Sequence, residues 1–128
     1  MVSWFSKKQN TISLSTTEVE YITAAFACSQ VIYMQQTLKD FGLNISKSPI
    51  YCDNTSAINL SKNPTHQART KHIDIRHHFL KDNISKEIIS LEFINTENQI
   101  ADILTKPLNQ STFTKLRREL GICSITEI

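Results

Sequence analysis

The sequence predicts an α/β fold, and three observations carry that prediction. Short β-prone runs alternate with segments of helical period, the pattern that lays helices on a sheet. Chain-stopping glycines follow two of the helical segments, at Gly42 and Gly121. A length of 128 residues suits a single domain with one modest core, since domains cluster near about 100 to 150 residues.

Composition narrows the setting more than the chemistry. A formal charge of +2 and a pI near 8.5 neither demand nor exclude a nucleic-acid partner, so local clustering of charge matters more than the sum. Three cysteines, Cys28, Cys52 and Cys123, are an odd number without short metal-ligand spacing. They argue for reduced thiols and against a disulfide framework or a zinc site, and so for an intracellular protein. No run approaches the roughly 18 apolar residues of a spanning helix, and the opening Met1 to Phe5 lacks the basic start of a targeting signal.

Taken in order, residues 2–6 are a β-prone run, residues 7–10 a polar turn, and residues 11–14 a second strand-like piece. Ser15 to Glu18 has capping-box spacing, in which hydroxyl and carboxylate satisfy backbone donors reciprocally. One long helix is then predicted over residues 16–41, with Val19, Ile22, Ala25, Phe26, Ser29, Ile32, Tyr33, Gln36 and Leu38 in a rough 3.6 period before Gly42. Residues 49–52 form a short apolar strand, and Asn54, Thr55 and Ser56 offer caps for a helix over residues 57–61. After an Asn63-Pro64 turn, Ile73, Arg76, His77 and Leu80 have helical spacing and predict a helix with a charged outer face. Residues 88–95 alternate as a strand, Ile89, Leu91 and Phe93 against Ser90, Glu92 and Ile94. A short helix over residues 97–106 ends at Pro107, and a last one over residues 111–120 puts Phe113, Leu116 and Leu120 on one face. Trp4, Tyr33 and the phenylalanines are assigned to the core rather than to base stacking.

Asp53, in IYCDNTSA (50–57), follows an apolar strand at its carboxyl end, where α/β sheets place ligand sites. An aspartate there also serves as an ordinary helix cap. Glu20, in LSTTEVEYITAA (14–25), lies inside the long helix, where an exposed glutamate usually has no role beyond solubility. Asp102, in QIADILTKP (99–107), equally suits the positive end of a short helix. Hydrolysis of a phosphodiester by two divalent cations, about 4 Å apart, needs several such carboxylates converging from different elements, and hard oxygen ligands suit Mg2+ or Mn2+. The segment RTKHIDIRHHFLK (69–81), with His66 just before it, clusters Arg69, Lys71, His72, Arg76, His77 and His78. Such a cluster fits phosphate contact or a solvated helix face, and with no cysteine to complete it a zinc set there is poor.

The three carboxylate segments and the basic segment, in this order, resemble the ribonuclease H domain that ends the reverse transcriptase polyprotein of copia-type retrotransposons. The resemblance covers nearly the whole chain. It implies a ribonuclease H-like mixed sheet flanked by helices, with the first two strands lacking here and residues 2–6 matching the third. Residues 1–14 are then a strand remnant, 15–42 the long helix, 49–106 the strand and helix core with the site segments, and 109–121 the C-terminal helix. Glu20, Asp53 and Asp102 are the implied catalytic and metal-holding residues, for two Mg2+ or Mn2+ ions. Glu20 is chosen over Glu18 because the family's glutamate precedes a pair of small residues like Ala24 and Ala25. Asn54, Arg69, Lys71, His72 and Arg76 are the implied nucleic-acid contacts. The implied activity is hydrolysis of the RNA strand of RNA–DNA hybrids by the intact polyprotein, with the reverse transcriptase portion as partner, in a cytoplasmic particle or the nucleus. The family's first-strand aspartate has no counterpart before Glu20, and residues 95–99 hold no equivalent of the mobile histidine many relatives carry. The isolated chain is therefore expected to be marginal and inactive, a remnant that at most binds nucleic acid or a partner chain.

Overall fold

The computed structural model describes residues 16–62 and 71–127, with the side chains of all but 71–74 and 127. The run at 2–6, the piece at 11–14, Trp4, the Ser15 cap, the Asn63-Pro64 turn, His66 and Arg69 lie outside the described residues. Two units divide the chain, one ending at Phe93 and the other beginning at Ile94.

In the first unit, helix α1 runs Thr16–Asp40, as the period predicts. Gly42 ends it at φ +82, with its N–H bonded to Lys39 O and the Leu43 N–H to Leu38 O. That pair of bonds satisfies carbonyls the last turn leaves open, and a glycine makes the left-handed step at no steric cost. The buried face is turned from the predicted one. Tyr21, Ile22, Ala24, Ala25 and Cys28 are buried, while Phe26 and Tyr33 are 40% and 70% exposed. Small residues at 24, 25 and 28 let other elements approach α1 closely, so packing distance rather than side-chain bulk selects the inner face.

Strand β1, Ser48–Cys52, leads into helix α2, Thr55–Lys62. Helix α3, Lys71–Ser85, returns to strand β2, Ile89–Phe93. The two strands pair in parallel with Ile50 opposite Leu91 and Cys52 opposite Phe93, so this unit is mixed α/β around a small parallel sheet. Tyr21, Ala24, Ala25, Cys28, Leu80 and Ile89 make the core, with Ile50, Leu60, Ile84 and Leu91 packed against it. Full burial of each large side chain among these contributes about 1.5–3 kcal/mol. Gln35 adds a polar tie: its Nε2 donates to Ser48 Oγ at 2.9 Å and to Ile88 O at 3.1 Å. Its neighbour Gln36, which the period placed inward, is exposed and bonds Asp40. On α3, His77, which the spacing aligned with Leu80, is 6% exposed and stacks on the Tyr21 ring with centroids 3.9 Å apart.

In the second unit the helix predicted over residues 97–106 is instead two 3-10 turns, Thr96–Asn98 and Ile100–Leu104. Gln99 sits between them in an extended conformation, and Pro107 bars the α conformation at Lys106. Too little chain remains between those breaks for an α-helix to propagate. Helix α4, Gln110–Glu119, follows, capped by Asn109 Oδ1 accepting from the Thr112 N–H at 2.9 Å. Gly121 stops it at φ +72 as predicted. Leu116 is fully buried, whereas Phe113 is 46% exposed.

Candidate functional site

β1 ends at Cys52 and the chain turns at Asp53 before α2 begins. Asn54 is the residue that caps α2, its Oδ1 accepting from the Ala57 N–H at 3.1 Å. The helix cap proposed for Asp53 is thus supplied one residue later. Cys52 is buried with Ala57 and Ile58. Burial, and then the negative charges of Glu20 and Asp53, push its thiol up, while backbone hydrogen bonding with Asn54 pulls the other way. A thiolate would face both carboxylates in a dry setting, so Cys52 stays protonated. Glu20 on α1 and Asp53 after β1 both contribute to pushing the thiol up, which puts both carboxylates in the neighbourhood of Cys52. Both carboxylates are half-buried.

That convergence follows from local chemistry. Glu20 and Ala24 lie one turn apart, so the face that lets α1 approach its neighbours also carries the glutamate toward them. Packing of α1 against β1 and α2 brings the helix to the strand. Among the described residues no three of His, Cys, Asp and Glu gather as a ligand set.

Asp102 belongs to the second unit, in the turn Ile100–Leu104. It is 7% exposed, and Lys106 spans its carboxylate, Nζ lying 3.0 Å from Oδ1 and 3.1 Å from Oδ2. The sequence reading missed this partner, although a Lys four residues after an Asp is a recognisable spacing. Lys115 ties α4 to the first turn, donating to Asn98 Oδ1 at 2.7 Å.

Of the residues singled out for nucleic acid, Asn54 is engaged as a cap, and Lys71 and His72 open α3 with side chains outside the described set. Arg76 is half-buried with its guanidinium 4.6 Å from the centre of the Phe26 ring, a cation–π contact. His78 is exposed. No described helix is long and apolar enough to cross a membrane.

Comparison with known proteins gives similar chains among transposon polyproteins. The retrovirus-related Pol polyprotein from transposon TNT 1-94 of Nicotiana tabacum is 39% identical over 123 residues, which is 96% of this chain and 9% of that protein. Those from transposons RE2 and RE1 of Arabidopsis thaliana are 35% and 34% identical over 125 residues, 97% of this chain and 9% and 8% of theirs. The chain therefore spans less than a tenth of the length of the curated relatives it matches. No protein-family model and no solved structure matches it. This chain is homologous to one region of the retrovirus-related Pol polyproteins of transposons.

Proposed function

We propose that the chain is part of a copia-type ribonuclease H-like domain, through which a retrotransposon Pol polyprotein hydrolyses the RNA strand of RNA–DNA hybrids. The observation that carries this reading is the packing of α1, which bears Glu20, against β1 and α2, the elements that flank Asp53. Homology to transposon Pol polyproteins supports it from a second direction. Glu20, Asp53 and Asp102 would hold Mg2+ or Mn2+, whose chemistry is to stabilise the attacking and leaving oxygens of the phosphodiester. The chain's own contribution is to hold Glu20 and Asp53 at packed elements and to keep Cys52 protonated by burial. The partners are the hybrid and the reverse transcriptase portion, in an intracellular particle or the nucleus.

A second reading, binding of nucleic acid or a partner chain without hydrolysis, draws on the Lys106 ammonium lying across both Asp102 oxygens. One experiment separates the two. In a polyprotein carrying this region, cleavage of a labelled hybrid with Mg2+ or Mn2+ should be lost with Glu20→Gln, Asp53→Asn or Asp102→Asn and kept with Glu18→Gln. Cleavage that survives Asp53→Asn overturns the catalytic reading, and retention of uncut hybrid in every variant supports the second. Loss with Glu18→Gln but not Glu20→Gln would overturn the choice between the two glutamates.

A further inference from the structure

We propose that two copies of this chain pair through the outer edge of β2, strand against antiparallel strand, about a twofold axis at Leu91. The parallel ladder fixes which backbone groups that edge presents. Ser48 stands in register with Ile89, and the Ser48 N–H bonds Ile88 O at 3.2 Å. That bond turns residues 88, 90 and 92 toward β1 and leaves Ile89, Leu91 and Phe93 with their N–H and C=O groups directed away from it. Among the described residues no hydrogen bond reaches those outward groups. The strand reads ISLEF, so neither proline nor lysine blocks its edge, and a row of open donors and acceptors is a template for another strand. The far edge of the sheet differs, because β1 presents Pro49 there, which has no N–H to give.

β2 is also complementary to its own copy. Turned about Leu91, Ile89 meets Phe93 of the second copy and Leu91 meets Leu91, each pair exchanging both backbone bonds. The Phe93 side chain, 54% exposed, would gain a cover from this. On the opposite face Ser90 falls across from Glu92 of the second copy, so neither carboxylate meets its like. The Ser90 hydroxyl already donates to Glu92 Oε1 at 2.9 Å within one copy, so the two side chains are compatible neighbours. A twofold contact uses the same patch on both copies and closes on itself, and Pro49 works against further extension of the sheet.

Sedimentation of the full chain over a range of concentrations, with amide hydrogen exchange followed at each, tests this. A monomer–dimer equilibrium is expected, and dimer formation should slow exchange at Ile89, Leu91 and Phe93 while leaving Tyr51 unchanged. Ser90→Glu sets like charges opposite each other on both sides of the axis and should weaken the dimer about two- to thirtyfold. Adding Glu92→Lys should restore it. Ser90→Lys alone should tighten it, which keeps the proposal testable if Ser90→Glu does not fold. A chain that stays monomeric overturns the proposal. A dimer whose protected amides lie elsewhere overturns it too, as does one whose strength neither Ser90→Glu nor Ser90→Lys alters.

Discussion

In the unit that ends at Phe93, Glu20 and Asp53 stand on a helix and a strand that share a core of Tyr21, Ala24, Ala25, Cys28, Leu80 and Ile89. In the unit that begins at Ile94, Asp102 stands on a short 3-10 turn secured by backbone hydrogen bonds and by Lys106. The larger fully buried side chains of the described residues are Tyr21, Ile22, Leu80, Ile89 and Cys28 in the first unit, against Leu116 in the second. Apolar packing holds a carboxylate in place whatever ion is present. Ion pairs and turn hydrogen bonds are more open to exchange than apolar packing, so the Asp102 arrangement depends more on its ionic surroundings.

The largest effect that can break this comparison is expected from Leu80→Ala. Its side chain is fully buried, and its loss should cost about 2–5 kcal/mol. Native-state hydrogen exchange should show that cost in the amides of α1 and α3, with the amides of α4 changed much less. Equal loss of protection in α4 would mean that the two units open together and differ only in composition.

A smaller effect concerns thiols. Burial pushes Cys28 up to about 11 from an ordinary 9.0. The folded chain keeps a proton that the unfolded chain releases, so this contribution is intact below pH 9 and is lost as pH rises toward 11. Stability should fall by about 1 kcal/mol between about pH 9 and 10, and denaturant titrations of Cys28→Ala should show a flatter dependence. Tyr21 is raised by burial as well, which steepens the fall at still higher pH. Cys123 in the second unit is exposed and should be alkylated well before Cys28 and Cys52. Equal rates for all three would remove the contrast in packing.

The smallest effect sharpens it. α1 and α4 stop at glycines, but after α3 the left-handed position is occupied by Glu87 at φ 56. Its N–H bonds Ile84 O and the Ile88 N–H bonds Asn83 O, the same closure seen after the other two helices. A side chain in that conformation costs about 1–2 kcal/mol, and the flexibility of glycine returns part of the gain. Glu87→Gly should therefore stabilise the first unit by about 0.5–1 kcal/mol in denaturant unfolding, even after losing the exposed pair with Lys47 at 3.5 Å. A loss of stability would show that this pair outweighs the backbone strain.

What could be read from the sequence was chiefly local. The start and stop of α1, the strand before Asp53, the capping group at Asn54 and the glycine after α4 depend on residues within a few positions of one another, and each is found where predicted. The inward face of α1 was read one step off because its apolar residues run nearly all round the helix. Period alone then favours the bulkier Phe26 and Tyr33, whereas close packing favours Ala24, Ala25 and Cys28. His77 was read both in the helical stripe with Ile73 and Leu80 and in the basic cluster with Arg76 and His78; the Tyr21 ring stacked on it shows that the stripe is the reading that holds. In the candidate site, the motif segments pointed to Glu20 and Asp53, but the burial of Cys52 with Ala57 and Ile58 could not be inferred without the packing around it. Lys106 was within reach of a spacing argument, yet its importance depends on how far Asp102 is buried, which no spacing reports.

The hydrogen bonds of Gln35 have a consequence for the precision of the Glu20–Asp53 pair. A parallel pair of two five-residue strands offers few features to fix its alignment, and a slip of one position would turn Ile89, Leu91 and Phe93 to the opposite face. Ile88 O accepts from both the Ser48 N–H and the Gln35 amide, and Ser48 Oγ accepts from that same amide. Only one alignment meets all three contacts, so Gln35 proofreads the sheet from the helix that carries Glu20, and the position of Asp53 at the strand end is gauged against its partner's own backbone.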